Sequence, residues 1–96
     1  MIYNSMLLHH TSRFRKELKK LSPQLRKQVK KKLALFIQYG SAYPSLRFKP
    51  FQKYKILGVY ELSVTKNYRI IAQKITDDEF YLLQVGSHSI LDKFTV

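Results

Sequence analysis

Residues 22–40 read SPQLRKQVKKKLALFIQYG, a stretch that opens with a helix start and closes with a helix stop. The Ser22 hydroxyl suits an N-cap, and Pro23 suits the first helical position, where its missing N–H costs nothing. Leu25, Val29, Leu33, Phe36 and Ile37 fall on one stripe at helical spacing, with the charged residues largely off it. Gly40 then supplies the residue that ends the helix. Upstream, Ser12 is placed to cap a shorter helix whose apolar residues Phe14, Leu18 and Leu21 recur at i, i+4 and i+7. Ser22-Pro23 separates the two. They form a helical hairpin with one apolar side, and that side has to be buried against something else.

The covering partner follows Gly40, where the period changes from helical to alternating. Residues 41–45, with Pro44, read as a connector. Strand-like stretches then follow at 46–51, 58–65, 68–75 and 80–85. In the second of these, Tyr60, Leu62 and Val64 share one face while Val59, Glu61 and Ser63 share the other. The polar breaks 65–67 and 76–79 suit hairpins. A short first strand is read at 5–9. The expectation is an α+β domain over residues 1–96, its helical hairpin packed on one face of a small antiparallel sheet, in the order β-α-α-β-β-β-β.

The chain of 96 residues carries 18 Lys+Arg against 6 Asp+Glu, a formal charge of +12. With 45% hydrophobic residues it is too apolar for a disordered basic tail, so the charge decorates a folded body. It has no Cys, which removes disulfide scaffolds, thiol nucleophiles and Cys-based zinc sites. Its longest unbroken apolar run is 33–37, too short to span a membrane, and residues 1–10 lack the basic opening of a secretion signal, so a cytoplasmic location is expected. Ten basic residues lie between Arg13 and Lys32 against the single acid Glu17. A solvated helical face is the plainer explanation of such a run, but a net charge of about 2–8 already keeps a small domain soluble. The excess points to an anionic partner: nucleic acid, the ribosome or an acidic protein.

Gly-rich phosphate loops, Gly-x-Ser-x-Gly, His-Glu-x-x-His and paired-carboxylate motifs are all missing. His9, His10 and His88 have no metal-ligand spacing, and no metal or other cofactor is expected. The candidates for chemistry lie on the sheet. Read as a strand, Ser45-Leu46-Arg47-Phe48-Lys49 puts Arg47 and Lys49 on the side opposite Leu46 and Phe48, and Arg69 lies opposite Tyr68 and Ile70. If the helices cover the apolar face, the other face presents Arg47, Lys49, Glu61 and Arg69, with His88 at the edge beyond the last strand. Ordinary solvent-facing strand positions would look the same. Yet Arg, Lys and His together are also the parts needed for metal-free phosphodiester cleavage: cations to hold a pentacoordinate phosphate and an imidazole to move a proton near neutrality.

Four stretches, in this order, resemble the RelE/ParE superfamily of toxins from type II toxin–antitoxin systems, in its cytotoxic translational repressor or YafQ-like branch. They are Phe14-Arg15-Lys16-Glu17-Leu18-Lys19-Lys20-Leu21; Tyr43-Pro44-Ser45-Leu46-Arg47-Phe48-Lys49; Val59-Tyr60-Glu61-Leu62-Ser63-Val64 with Tyr68-Arg69-Ile70; and Tyr81-Leu82-Leu83-Gln84-Val85-Gly86-Ser87-His88-Ser89-Ile90-Leu91. The resemblance implies an mRNA endoribonuclease that works without metal, acts at the ribosome and is neutralised by an acidic antitoxin. It assigns His88 to proton transfer, Arg69 to the transition state, and Glu61 to orienting a basic neighbour or acting as base. It assigns Arg47 and Lys49 to RNA phosphates. Lys53 and the helical residues Arg26, Lys27, Lys30 and Lys31 are expected as further phosphate contacts. Tyr60, Tyr43 and Ser89 stand where the branch often has Trp, His and Asp. The alternatives are a ParE-like gyrase inhibitor without nuclease activity and a non-toxic nucleic-acid-binding domain.

Overall fold

The computed structural model describes residues 6–51 and 58–91. Its elements run β1 (Leu7–His10), α1 (Ser12–Lys20), α2 (Pro23–Tyr39), a 3-10 turn (Pro44–Leu46), β2 (Lys49–Pro50), β3 (Val59–Ser63), β4 (Tyr68–Thr76), β5 (Glu79–Ser87) and α3 (His88–Leu91). The expected Lys53 contact lies outside the described residues.

Both helix boundaries of α2 follow from its sequence. Ser22 Oγ accepts from the Leu25 N–H at 3.2 Å, and Gly40, at φ +79°, donates its N–H to the Phe36 carbonyl. The cap of α1 is Thr11 rather than Ser12. The Thr11 hydroxyl has a second task that decides the matter: it accepts from Phe14 N–H and also donates to the Leu82 carbonyl at 2.7 Å, tying the start of α1 to β5. At the other end of α1, Arg26 Nη1 donates to the carbonyls of Lys19 and Leu21 at 3.1 and 3.0 Å. That satisfies helix-end acceptors that would otherwise need water.

The strands form one sheet in the order β1-β5-β4-β3-β2. The pairs β2–β3, β3–β4 and β4–β5 are antiparallel, as consecutive hairpins require. β1 lies parallel to β5, Leu7 beside Glu79 and His10 beside Leu82, so the sheet is mixed rather than wholly antiparallel. A strand separated from the rest by two helices is not bound by the hairpin rule, and it takes the remaining edge.

One face of this sheet meets the helices. Phe14 of α1, Val29, Leu33 and Phe36 of α2, and Leu46 pack against Leu62, Val64, Ile70, Ala72, Phe80, Leu82 and Val85. Phe48 stacks on Phe36 and Tyr60, with ring centroids 5.6 and 4.6 Å away. Ile37, placed on the buried stripe by its spacing, is 44% exposed because the stripe turns away after Phe36. The opposite face is not purely polar. Phe51, Val59 and Ile71 form a second, smaller buried cluster there, with Leu83 beside it. Among the described residues, no helix is long and apolar enough to cross a membrane.

The segment 46–51 differs from expectation. Strand pairing is limited to Lys49–Pro50, and Arg47 follows the 3-10 turn with φ +46°, in the left-handed region. Simple alternation therefore does not describe Arg47. Its side chain is exposed because the backbone turns there, while Leu46 and Phe48 still reach the core.

Candidate active site

The β3–β4 connection is tight: the N–H groups of Val64 and Thr65 both point to the Tyr68 carbonyl. Arg69 begins at the far side of this turn and reaches back over it. Its Nη1 donates to the carbonyls of Thr65, Lys66 and Tyr68 at 2.6, 3.1 and 3.0 Å. Its Nε lies 3.5 Å from Glu61 Oε1, and both side chains are only 14% exposed. Nη2 has no hydrogen-bond partner among the described residues. Arg69 is thus a clamped residue with one donor group unengaged among the described residues.

Beside the clamp opens a cleft of about 500 Å³ lined by Lys32, Ser45, Arg47, Ser63, Val64, Thr65, Lys66 and Arg69. Four of these are cations and none is an acid. The four arrive from three separate places: Lys32 from α2, Arg47 from the 3-10 turn, and Lys66 and Arg69 from the β3–β4 hairpin. Lys32 is half-buried and donates from Nζ to the Ser45 carbonyl at 3.2 Å. Burial, and next the positive charges of Lys31 and Arg47, hold its ammonium below the usual lysine range. Cations crowded this way raise their common affinity for an anion. The arrangement suits a phosphodiester, with several N–H donors aimed at its nonbridging oxygens.

The sequence-derived residues divide into groups. Arg47 and Arg69 share the cleft, and Glu61 stands behind Arg69 as its ion-pair partner. Lys49 sits on β2 directly opposite Glu61, exposed and outside the cleft lining. His88 is the first residue of α3, and its backbone N–H donates to the Asn67 carbonyl at 3.1 Å, which sets it next to the same hairpin turn. Its ring is exposed and makes no hydrogen bond or ion pair among the described residues. Lys27, Lys30 and Lys31 are exposed on α2, whereas Arg26 is half-buried and engaged with the end of α1. Lys32 and Lys66 are cleft residues that sequence reading did not single out. Lys32 was legible only as one more charge in a basic run, and Lys66 only as a turn residue. Among the described residues, no three His, Asp or Glu gather in a way that could hold a metal ion.

No protein-family model and no curated protein matches the chain. Solved structures do match over nearly its whole length. In the Escherichia coli DinJ–YafQ toxin–antitoxin complex, the matching chain is 18% identical with a TM-score of 0.72, covering 91% of this chain and 97% of that one. The RelB–RelE antitoxin–toxin complex of Methanococcus jannaschii matches at 23% identity and TM-score 0.71, covering 91% and 99% of the two chains. The YoeB dimer of Staphylococcus aureus matches at 10% identity and TM-score 0.72, covering 88% and 98%. The chain therefore shares the fold of these YafQ, RelE and YoeB chains, two helices on one face of a five-stranded mixed sheet.

Proposed function

We propose that this chain is the toxin of a toxin–antitoxin pair and that it cleaves mRNA on the ribosome. The observation that carries the reading is the cleft in which Lys32, Arg47, Lys66 and Arg69 converge, with no acid among its described lining residues, beside the turn that His88 bonds to. The fold shared with chains described as toxins supports it, as do the motifs of the RelE/ParE superfamily.

In this reading the ribose 2′-oxygen attacks the adjacent phosphorus and the bond to the 5′-oxygen breaks. The products are a 2′,3′-cyclic phosphate and a 5′-hydroxyl. Arg47 and Nη2 of Arg69 neutralise charge that grows on the nonbridging oxygens, and the Arg69 guanidinium is clamped in place before the substrate arrives. Glu61 orients Arg69. His88 takes the proton of the attacking hydroxyl, and Lys49 holds a flanking phosphate. Few conventional acids and bases are needed when the ribosome aligns the message. The partner that silences the toxin is an acidic protein drawn to the basic helices.

Expression of the chain alone should arrest bacterial growth, and primer extension on a translated message should show new ends. His88→Ala should fold and bind ribosomes yet leave the message intact, since loss of one acid or base costs about 10²–10⁴-fold. Gyrase supercoiling measured in parallel provides the opposing outcome. Blocked supercoiling with uncut mRNA would replace the nuclease with a gyrase inhibitor.

A further inference from the structure

We propose that Lys32 is the general acid of this cleft, the group that hands a proton to the departing 5′-oxygen. The proposal rests on the nuclease reading and assigns within it a residue from helix α2 rather than from the sheet.

Transesterification needs two proton transfers, one from the 2′-hydroxyl and one to the leaving oxygen, while His88 accounts for only one. The cleft narrows the choice for the second. Arg47 and Arg69 carry guanidinium groups, which do not release protons in proteins. The hydroxyls of Ser45, Ser63 and Thr65 are far weaker acids, and Ser63 Oγ is committed to the Thr65 carbonyl at 3.2 Å. Among the described lining residues, that leaves the two lysines. Lys66 sits exposed on the turn, with its carbonyl under the Arg69 clamp. Lys32 is half-buried, and its hydrogen bond to the Ser45 carbonyl fixes Nζ at the cleft wall while leaving two N–H groups for a substrate.

The surroundings of Lys32 favour giving the proton away. Lys31 faces it from its own helix, Arg47 from the 3-10 turn, and Lys66 and Arg69 from the β3–β4 hairpin. Among the described residues no carboxylate lines the cleft to hold the ammonium charged, and Glu61 is turned to Arg69. Burial together with the neighbouring Lys31 and Arg47 lowers the lysine's proton affinity, and lysines so placed serve in acid–base chemistry.

The step balances. As the O2′–P bond forms, His88 takes the hydroxyl proton. As the P–O5′ bond breaks, its electron pair stays on the 5′-oxygen, which takes a proton from Lys32 Nζ. Solvent then returns a proton to Lys32 and removes one from His88.

A leaving group that needs no proton isolates this role. Ribosome complexes would be programmed with a synthetic mRNA carrying either the ordinary oxygen or a 5′-bridging sulfur at the cleaved linkage, and single-turnover rates measured across pH. Lys32→Arg keeps the charge and the donor to Ser45 but cannot act as an acid. It should lose about 10²-fold or more on the oxygen substrate, recover to near the wild-type rate on the sulfur substrate, and lose the alkaline fall of the pH profile. Lys32→Gln should show the same recovery on sulfur from a lower starting rate, and thermal melts would confirm that both variants fold. Equal losses on both substrates, or a wild-type rate for Lys32→Arg on oxygen, would overturn the general-acid role alone. A wild type that cuts neither substrate would overturn the nuclease reading itself.

Discussion

Glu61 and Arg69 face each other from adjacent strands, with Oε1 3.5 Å from Nε and both side chains 14% exposed. The same guanidinium holds three carbonyls of the β3–β4 turn. One residue therefore fixes the shape of the hairpin, anchors an ion pair and lines the cleft. Shape and charge at the site are coupled through it, and its variants should report both.

Arg69→Lys separates the two. The charge stays, but the planar fork that bridges Glu61 and the turn is gone. Hydrogen bonds from a charged group contribute about 1.5–3 kcal/mol each before partial replacement by water, so a net loss of about 2 kcal/mol is expected. For a chain of this size that is a melting temperature lower by about 10 °C. Cleavage should fall further than stability explains, measured at a temperature where the variant is fully folded. An unchanged melting temperature would mean that the carbonyl contacts contribute nothing.

Arg47→Gly should move stability and activity in opposite directions. Arg47 occupies φ +46°, a conformation that costs an L-residue with a side chain about 1 kcal/mol and a glycine almost nothing. Its backbone N–H keeps the bond to the Pro44 carbonyl in either case. The variant should melt higher, by the equivalent of about 0.5–1 kcal/mol, while its KM for RNA rises because the cleft has lost a cation. A lower melting temperature would show that the arginine side chain stabilises the turn more than its backbone strains it.

Much of this architecture can be read from local patterns, and the exceptions share a cause. Ser22, Pro23 and Gly40 bracket α2 by chemistry that acts within one turn of helix, so they behave as their sequence says. Tyr60, Leu62 and Val64 alternate against Val59, Glu61 and Ser63 as a strand must. The parallel seating of β1, the choice of Thr11 over Ser12, and the use of Arg26 as a plug for α1 all depend on contacts with distant chain. So does the cleft. Lys32 and Arg69 are 37 positions apart, and only the packing of α2 and the 3-10 turn beside the β3–β4 hairpin makes them neighbours. Arg47 reaches the cleft although the strand alternation expected there does not exist, because a left-handed turn exposes it instead.

Gln84 offers a test of the second face. It is 1% exposed on β5, opposite Ile71, and its Oε1 has no hydrogen-bond partner among the described residues. A buried acceptor left unpaired costs about 1–3 kcal/mol. Gln84→Met keeps the length and nearly the volume of the side chain while removing the amide, so the protein should gain about 1 kcal/mol, read as a higher denaturation midpoint with an unchanged slope. Loss of stability would show that the amide is satisfied in solution, by water or by a rearranged neighbour.

The basic face of α2 makes the last prediction, and its residues do not all count alike. Lys27, Lys30 and Lys31 are exposed, with side chains directed away from the core stripe of Val29, Leu33 and Phe36. Arg26, one residue earlier, is spent on the carbonyls of Lys19 and Leu21. If the face docks on RNA, each lysine that meets a phosphate releases counterions and contributes about 0.7 to the slope of log affinity against log salt for a single strand. Reversing Lys27, Lys30 and Lys31 to Glu should therefore weaken binding to a labelled RNA and flatten that slope by about 2, with little change in melting temperature. Arg26→Glu should do the reverse, leaving the slope nearly intact while lowering stability as the α1 carbonyls lose their donor. Titration by fluorescence anisotropy at several salt concentrations, beside thermal melts, reads both. If the triple reversal leaves the slope where it was, the lysines of α2 are a solvated face and the RNA is held by the cleft alone.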